Sequence, residues 1–216
     1  MAEQRQLRFI APPGSATLLL VRHGESEPVR DGHPVPLLGG ASDPALDPVG
    51  VEQAGRVAAR LHGEDVAAIY VTPLRRTAQT AAPLAERLGL EPRVEPDLRE
   101  VFLGEWEGGG FRRHVREQHP VALRMRAEGR WDVIPGAEPG EAFAARVRAG
   151  VERIAAAHPD QRVVVVVHGG VIGQAIANAT GAGPLAFAWA DNGSISEIVV
   201  HGADWVVRSY NDTSHL

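Results

Sequence analysis

"RVVVVVHGGVIGQAIANAT", residues 162–180, decides the fold. Five consecutive valines suit a strand covered on both faces, because β-branched side chains pack on a pleated surface and no position turns a polar group to water. The run meets His168, Gly169 and Gly170 and then reads as a helix. A strand running straight into a helix is half of a crossover unit, and crossover units build parallel sheets.

The same grammar recurs on either side. "TLLLVRHGES", residues 17–26, is an apolar strand ending in Arg22, His23 and Gly24. A Pro/Gly-rich loop over 27–47 follows. Asp47 and Pro48 then read as the cap and first residue of a helix, with Val51, Ala54, Val57, Ala58 and Leu61 at helical spacing. "AAIYV", residues 67–71, is another strand. Thr72 and Pro73 repeat the cap-then-proline signal for a helix running through Arg87 and stopped by Gly89. A short strand near Arg93–Val94 leads into the irregular "PDLREVFLGEWEGGG". Helical stretches are expected around 111–128 and 141–158. "SISEIVV" and "WVVRSY" read as a closing hairpin turned by "HGAD". The pattern predicts an α/β protein, a three-layer α/β/α architecture with a mainly parallel central sheet. Residues 1–15 read as a flexible N-terminal arm and 16–216 as a single domain.

Bulk composition narrows the function classes. The chain has 216 residues, 44% hydrophobic and 23% charged, ordinary globular values that argue against disorder. Its net charge of −5 gives no basic surface for nucleic acid. Cysteine is absent, which removes disulfides and thiol-based metal sites from consideration. The first fifteen residues contain no apolar core for a signal peptide, and the valine run is far too short to span a bilayer. A soluble cytoplasmic protein without nucleic-acid or membrane partners is the expectation. A homodimer is left open.

In open parallel sheets, ligands bind beyond the carboxyl ends of the strands. Those ends carry a consistent chemistry here. Arg22 and His23 follow the first strand, Arg75 and Arg76 follow the second, and His168 and Gly169 follow the valine run. Glu100 comes from the irregular segment. Arginine forks and glycine-bearing helix starts suit phosphate oxygens. An imidazole can attack phosphorus, and a carboxylic acid can protonate the departing oxygen. Each piece alone has a plainer reading: a structural histidine, a solvated arginine, a loop carboxylate, a tight turn. Four such coincidences at strand ends favour phosphoryl transfer, and the clustered carboxylates of Mg²⁺-dependent transfer are not seen.

These residues carry a resemblance to the histidine phosphatase superfamily, relatives of the cofactor-dependent phosphoglycerate mutases. "LLVRHGES", "DPALDPVGVEQA", "TPLRRTAQTA", "LREVFLGEWEG" and "VVVVVHGGVI" are similar to its segments, in order, over most of the chain. The resemblance implies a phosphoglycerate mutase-like fold and metal-independent hydrolysis of a small-molecule phosphomonoester, without a cofactor. It implies His23 as the nucleophile that becomes a phosphohistidine and Glu100 as general acid and base. Arg22, Arg76, His168 and the Gly169 N–H would hold the phosphoryl oxygens, with Gly24, Glu25 and Ser26 supporting the nucleophile. "ESEPVRDGHP", "PGAEPGE" and the proline-rich 27–43 loop depart from the common pattern, and they bear on substrate contacts more than on the chemistry.

Other readings fit the residues less well. A mutase would carry a longer insertion after the acid than the modest stretch between Gly108 and Val163. A dinucleotide-binding domain built on "HGGVIG", with Asp191 as ribose contact, lacks the first glycine and leaves "RHGES" unexplained. A binding protein that lost activity conflicts with retention of all five core residues. His114 and His119, five apart, would not share a helix face for a metal. Trp131, Trp189 and Trp205 read as packing residues, and Trp106 with Gly108, Gly109 and Gly110 as a loop near the pocket. Arg30, Arg112 and Arg113 read as solvated charges, one of which could meet a second anion on the substrate.

Overall fold

The computed structural model describes residues 6–30 and 32–216. In chain order it has β1 (Ala16–Arg22), β2 (Leu37–Leu38), β3 (Ala41–Ser42), α1 (Pro48–Leu61), β4 (Val66–Val71), α2 (Arg75–Leu88) and β5 (Arg93–Val94). There follow α3 (Gly110–Arg116), α4 (Pro120–Glu128), α5 (Gly140–Ala157), β6 (Arg162–Val167), α6 (Gly169–Thr180), β7 (Ile195–His201) and β8 (Asp204–Asp212). The six-stranded sheet runs β5-β4-β6-β1-β7-β8. Its first four strands are parallel, and β7 and β8 add antiparallel pairs at the other edge.

The two apolar runs lie side by side at the centre. Leu18 pairs with Val163 and Arg22 with Val167, in a register without interruption. Side chains alternate across a strand, so the valine run serves two cores. Leu18, Leu20, Val163, Val165 and Val167 face one side, packing with Phe143 and Val147 of α5 and Ile172 and Ile176 of α6. Leu19, Val21, Val164 and Val166 face the other, against Val57 and Leu61 of α1 and Leu84 of α2. Each such side chain contributes about 1.5–3 kcal/mol by leaving water. The register matters as much as the energy, because it carries His23 and His168 out of the sheet abreast. His23 N donates to Val167 O at 3.0 Å.

Several local expectations are met. Asp47 Oδ1 accepts from Gly50 N at 2.8 Å, with Pro48 at the first helical position. Gly89 ends α2 in the left-handed conformation, at φ 64°. Other details differ. Helix α2 begins at Arg75 with Leu74 as its cap residue, not at Thr72 and Pro73. The Thr72 hydroxyl is engaged elsewhere, and the Arg75 N–H is met from outside by Asp43 Oδ1 at 2.8 Å. An anion at a helix start is favourable. The expected helix over 111–128 is two helices, because Pro120 opens α4 and disfavours helical backbone before it. Gln118 sits at φ 53° in the break. That break corrects the reading of His114 and His119: their rings lie 4.8 Å apart and both pack on Trp106. The 27–47 loop contains the small β2–β3 pair, which its proline content concealed.

Of the arm expected over 1–15, residues 1–5 lie outside the described residues. Phe9 lies under Arg208, 4.1 Å from guanidinium carbon to ring centroid, and Ser15 is buried. Trp131 and Trp205 are buried, whereas Trp189 is 48% exposed and does not belong to the core. Among the described residues no helix is long and apolar enough to cross a membrane.

Candidate active site

The tip of β1 is built around one imidazole. His23 Nδ1 lies 2.7 Å from Gly24 O. A carbonyl oxygen only accepts, so Nδ1 carries the hydrogen and Nε2 carries the lone pair. Burial pushes the His23 pKa well below the usual imidazole value, and the guanidinium groups of Arg76 and Arg22 push it the same way. His23 is therefore held neutral and oriented, with Nε2 free of a proton. Gly24 is required here by crowding rather than by a left-handed turn. A Cβ on Gly24 would stand 2.4 Å from Gly50 O, at the start of α1.

Arg76 faces inward from the first turn of α2 and is only 6% exposed. Its Nε donates to His23 Nε2 at 3.1 Å, and its Nη1 donates to Ser42 O at 2.9 Å. Arg75 points outward and pairs with Asp43 at 2.9 Å, the ordinary surface role. His168 is fully buried, its ring centroid 5.2 Å from that of His23. Its Nε2 lies 2.9 Å from Thr72 Oγ1, which sets the ring. Burial, then Arg76 and His23, holds its pKa well below the usual value. Arg22 donates through Nη1 to Ala190 O. Two buried polar atoms in this group, Arg22 Nε and His168 Nδ1, have no hydrogen-bond partner among the described residues. Buried donors and acceptors rarely stay unsatisfied, and oxygens of an anion would satisfy them.

Glu100 reaches the same place from the loop after β5. Its Oε1 accepts from Val101 N at 3.0 Å and its Oε2 from Gly170 N at 3.3 Å. Burial raises its pKa, against the opposing pull of the Val101 and Gly170 N–H groups and the Arg76 and Arg22 charges. The helix start expected to serve phosphate through Gly169 thus also serves the acid through Gly170. A Cβ on Gly169 would stand 3.5 Å from Arg22 Nε, which places that glycine beside the arginine. Arg146 of α5 holds the acid's backbone, donating to the carbonyls of Asp97, Arg99 and Glu100 at 2.7, 2.7 and 3.0 Å. It is itself held by both oxygens of Glu138, at 2.6 and 2.7 Å.

Arg22, His23, Arg76 and Glu100 form the floor of a cavity of about 260 Å³. Val29, Val35, Leu103, Phe111, Trp106 and Trp131 line its walls, and Glu27, Ser42 and Glu107 line it as well. Arg112 stands on the rim, exposed, with Nη2 donating to Ser26 Oγ at 2.6 Å and Nη1 to Glu27 O at 2.8 Å. Among the described residues it has no carboxylate within salt-bridge distance.

Nearly every expected residue converges, with three exceptions in role. Glu25 is exposed, and its contribution is a backbone N–H bonded to Gln53 Oε1 at 2.8 Å. Ser26 orients Arg112 rather than the nucleophile. Asp191, considered for a ribose, is bonded to Asn211. Sequence reasoning missed Thr72, Ser42, Asn192 and Arg146. Thr72 lies within a stretch already noticed, "TPLRRTAQTA", and Asn192 lies just before "SISEIVV", whereas nothing in the sequence marks Ser42 or Arg146. Among the described residues, no group of three or more His, Cys, Asp or Glu side chains could hold a metal ion.

Comparison with known proteins gives the same picture. Residues 18–213 match the model of the histidine phosphatase superfamily, branch 1. The metal-independent phosphoserine phosphatase of Arabidopsis thaliana is 33% identical over 208 residues, covering 92% of this chain and 82% of that one. The mycobacterial glucosyl-3-phosphoglycerate phosphatase structure superposes with a TM-score of 0.74 at 28% identity, covering 92% of this chain and all of that one. A phosphoglycerate mutase from Bacillus anthracis shares the fold, with a TM-score of 0.76 at 24% identity, covering 94% and 96% of the two chains. The chain belongs to the histidine phosphatase superfamily.

Proposed function

We propose that this histidine phosphatase hydrolyses small phosphomonoesters in two steps at His23. The observation that carries the reading is the single-tautomer imidazole: Nδ1–H on Gly24 O, and a lone pair on Nε2 facing Arg76. In the first step Nε2 bonds to phosphorus while the bond to the leaving oxygen breaks, and Glu100 gives that oxygen its proton. In the second, the Glu100 carboxylate takes a proton from water. The resulting oxygen bonds to phosphorus, the P–N bond breaks, and inorganic phosphate leaves with His23 restored. A protonation state raised by burial suits the first role. The phosphoryl oxygens would lie against Arg76, against Arg22 Nε and His168 Nδ1, and at the start of α6 beside Gly169. The apolar side chains that line part of the cavity lower the local dielectric around the phosphoryl group, which strengthens each of these contacts.

The substrate's second recognition point is Arg112. It has no carboxylate within salt-bridge distance among the described residues, it sits on the rim of the cavity, and a relative is named for phosphoserine. A phosphomonoester bearing a carboxylate would present one anion to His23 and a second to Arg112, which line the same cavity. Phosphoserine and p-nitrophenyl phosphate, assayed without added metal, test this. Arg112→Gln raises KM for phosphoserine and leaves p-nitrophenyl phosphate unaffected. An unchanged KM for phosphoserine sinks the assignment of Arg112, and full activity in His23→Ala sinks the mechanism.

A further inference from the structure

Arg22 and His23 are fastened by the loop between α6 and β7, residue by residue. Arg22 N donates to Ser194 O and Gly193 N to Arg22 O, both at 3.0 Å. Arg22 Nη1 donates to Ala190 O, and Asn192 Nδ2 donates to His23 O at 2.8 Å. This loop therefore sets where the phosphate-binding guanidinium and the nucleophile's backbone sit. The loop in turn is gripped by residues 211–216. Asp191 N donates to Asn211 Oδ1 at 2.6 Å, and Asn211 Nδ2 donates to Asp191 Oδ2 at 2.8 Å. His215 Nε2 donates to Gly193 O at 3.0 Å. A Cβ on Gly193 would stand 3.1 Å from Leu216 and 3.3 Å from Gln53, whose amide oxygen holds Glu25 N. Asn211 adopts φ 56°, a conformation asparagine tolerates better than most residues.

We infer that Asn211 is a positioning residue for the phosphoryl-transfer site. Its two-way pairing with Asp191 fixes the loop that aims Arg22 and anchors His23, with His215 as a second grip on the same loop. The inference rests on the proposed roles of Arg22 and His23. Asn211 touches no substrate atom, so its loss loosens geometry rather than removing a contact. A misplacement near 1 Å at the reacting centre slows the chemical step by about a hundredfold.

The test is Asn211→Gly, which keeps the left-handed backbone and removes only the side chain, beside the exchanged pair Asp191→Asn with Asn211→Asp. The exchange keeps the bond from the backbone N–H of residue 191 to a side-chain oxygen of residue 211 and restores the side-chain bond with donor and acceptor reversed. Phosphoenzyme formation is followed by rapid quench at saturating labelled p-nitrophenyl phosphate, at a temperature where circular dichroism shows each variant folded. Amide exchange at Asp191 and Gly193 is measured in parallel. Asn211→Gly is expected to slow phosphorylation by about tenfold to a hundredfold, with KM little changed and faster exchange at both amides. The exchanged pair is expected to recover most of the rate. Wild-type phosphorylation in Asn211→Gly overturns the inference, as does an exchanged pair as slow as the single variant. Label on His23→Ala, run alongside, would bring down instead the reading on which the inference rests.

Discussion

Arg76 Nε lies 3.1 Å from His23 Nε2, so the cation meant to hold phosphate already touches the atom meant to attack it. A phosphoryl group must enter between them, exchanging an N–H···N bond for an N–H···O bond to the incoming oxygen. The proposed nucleophile and the proposed phosphate clamp are thus aligned by one contact, before any substrate arrives.

Arg76→Lys keeps the positive charge but loses the fork that spans His23 and Ser42. Steady-state kinetics on phosphoserine should show kcat/KM lower by about a hundredfold or more, the usual consequence of removing one preorganised donor. A loss within a few-fold would mean that charge alone serves, and that the fork has no special part.

Glu100→Gln separates leaving groups. An alkyl oxygen needs the proton and should suffer a loss of roughly a hundredfold to ten-thousandfold, whereas p-nitrophenolate departs unaided and should lose far less. Phosphorylation needs the carboxyl protonated, so its rate falls as pH rises through the raised Glu100 value. Pre-steady-state pH profiles should lose that limb in Glu100→Gln. Equal losses on both leaving groups would remove Glu100 from the proton transfer.

The two buried imidazoles predict how stability depends on pH. Both His23 and His168 have folded values pushed well below the unfolded one, so the folded state binds fewer protons. Their neutral forms stabilise the fold fully above about pH 6.5, and that contribution is lost as pH falls toward the depressed folded values. The melting temperature should therefore drop between pH 7.5 and 5, and drop less in His23→Gln. An identical drop in the variant would contradict a neutral His23.

Arg146 and Glu138 are 10% and 11% exposed and hold the backbone of the acid-bearing turn. Removing one partner of a buried ion pair strands the other, at about 3–5 kcal/mol. Arg146→Met should show that loss in urea unfolding at neutral pH. A change below about 1 kcal/mol would show the pair behaving as a surface one.

How much of this was legible in the sequence follows from range. The valine run and "TLLLV" announced a buried parallel sheet because their signal is local, and Arg22, His23 and His168 sit at strand ends that any such sheet brings together. Asp47 with Pro48 and the stop at Gly89 were also readable from neighbours alone. The helical stretch expected over 111–128 is divided, because Pro120 opens a new helix and disfavours helical backbone before it. Thr72 was read as a cap, though its hydroxyl serves His168, 96 residues away. Arg146 and Ser42 gave no signal, because Arg146 donates to backbone carbonyls and Ser42 offers its own carbonyl to Arg76, contacts that only folding makes. Glu100 stood among the candidates near the strand ends, but its role as the acid came only from the family resemblance, since a loop carboxylate has no pattern of its own.

The central claim is that phosphate passes through His23. Rapid acid-free quench of the enzyme with ³²P-labelled phosphoserine, without added metal, measures it directly. A phosphoenzyme that is labile to acid and stable to base, formed before free phosphate and absent from His23→Ala, is the predicted result. Turnover without label on the protein, or label that survives in His23→Ala, would contradict it.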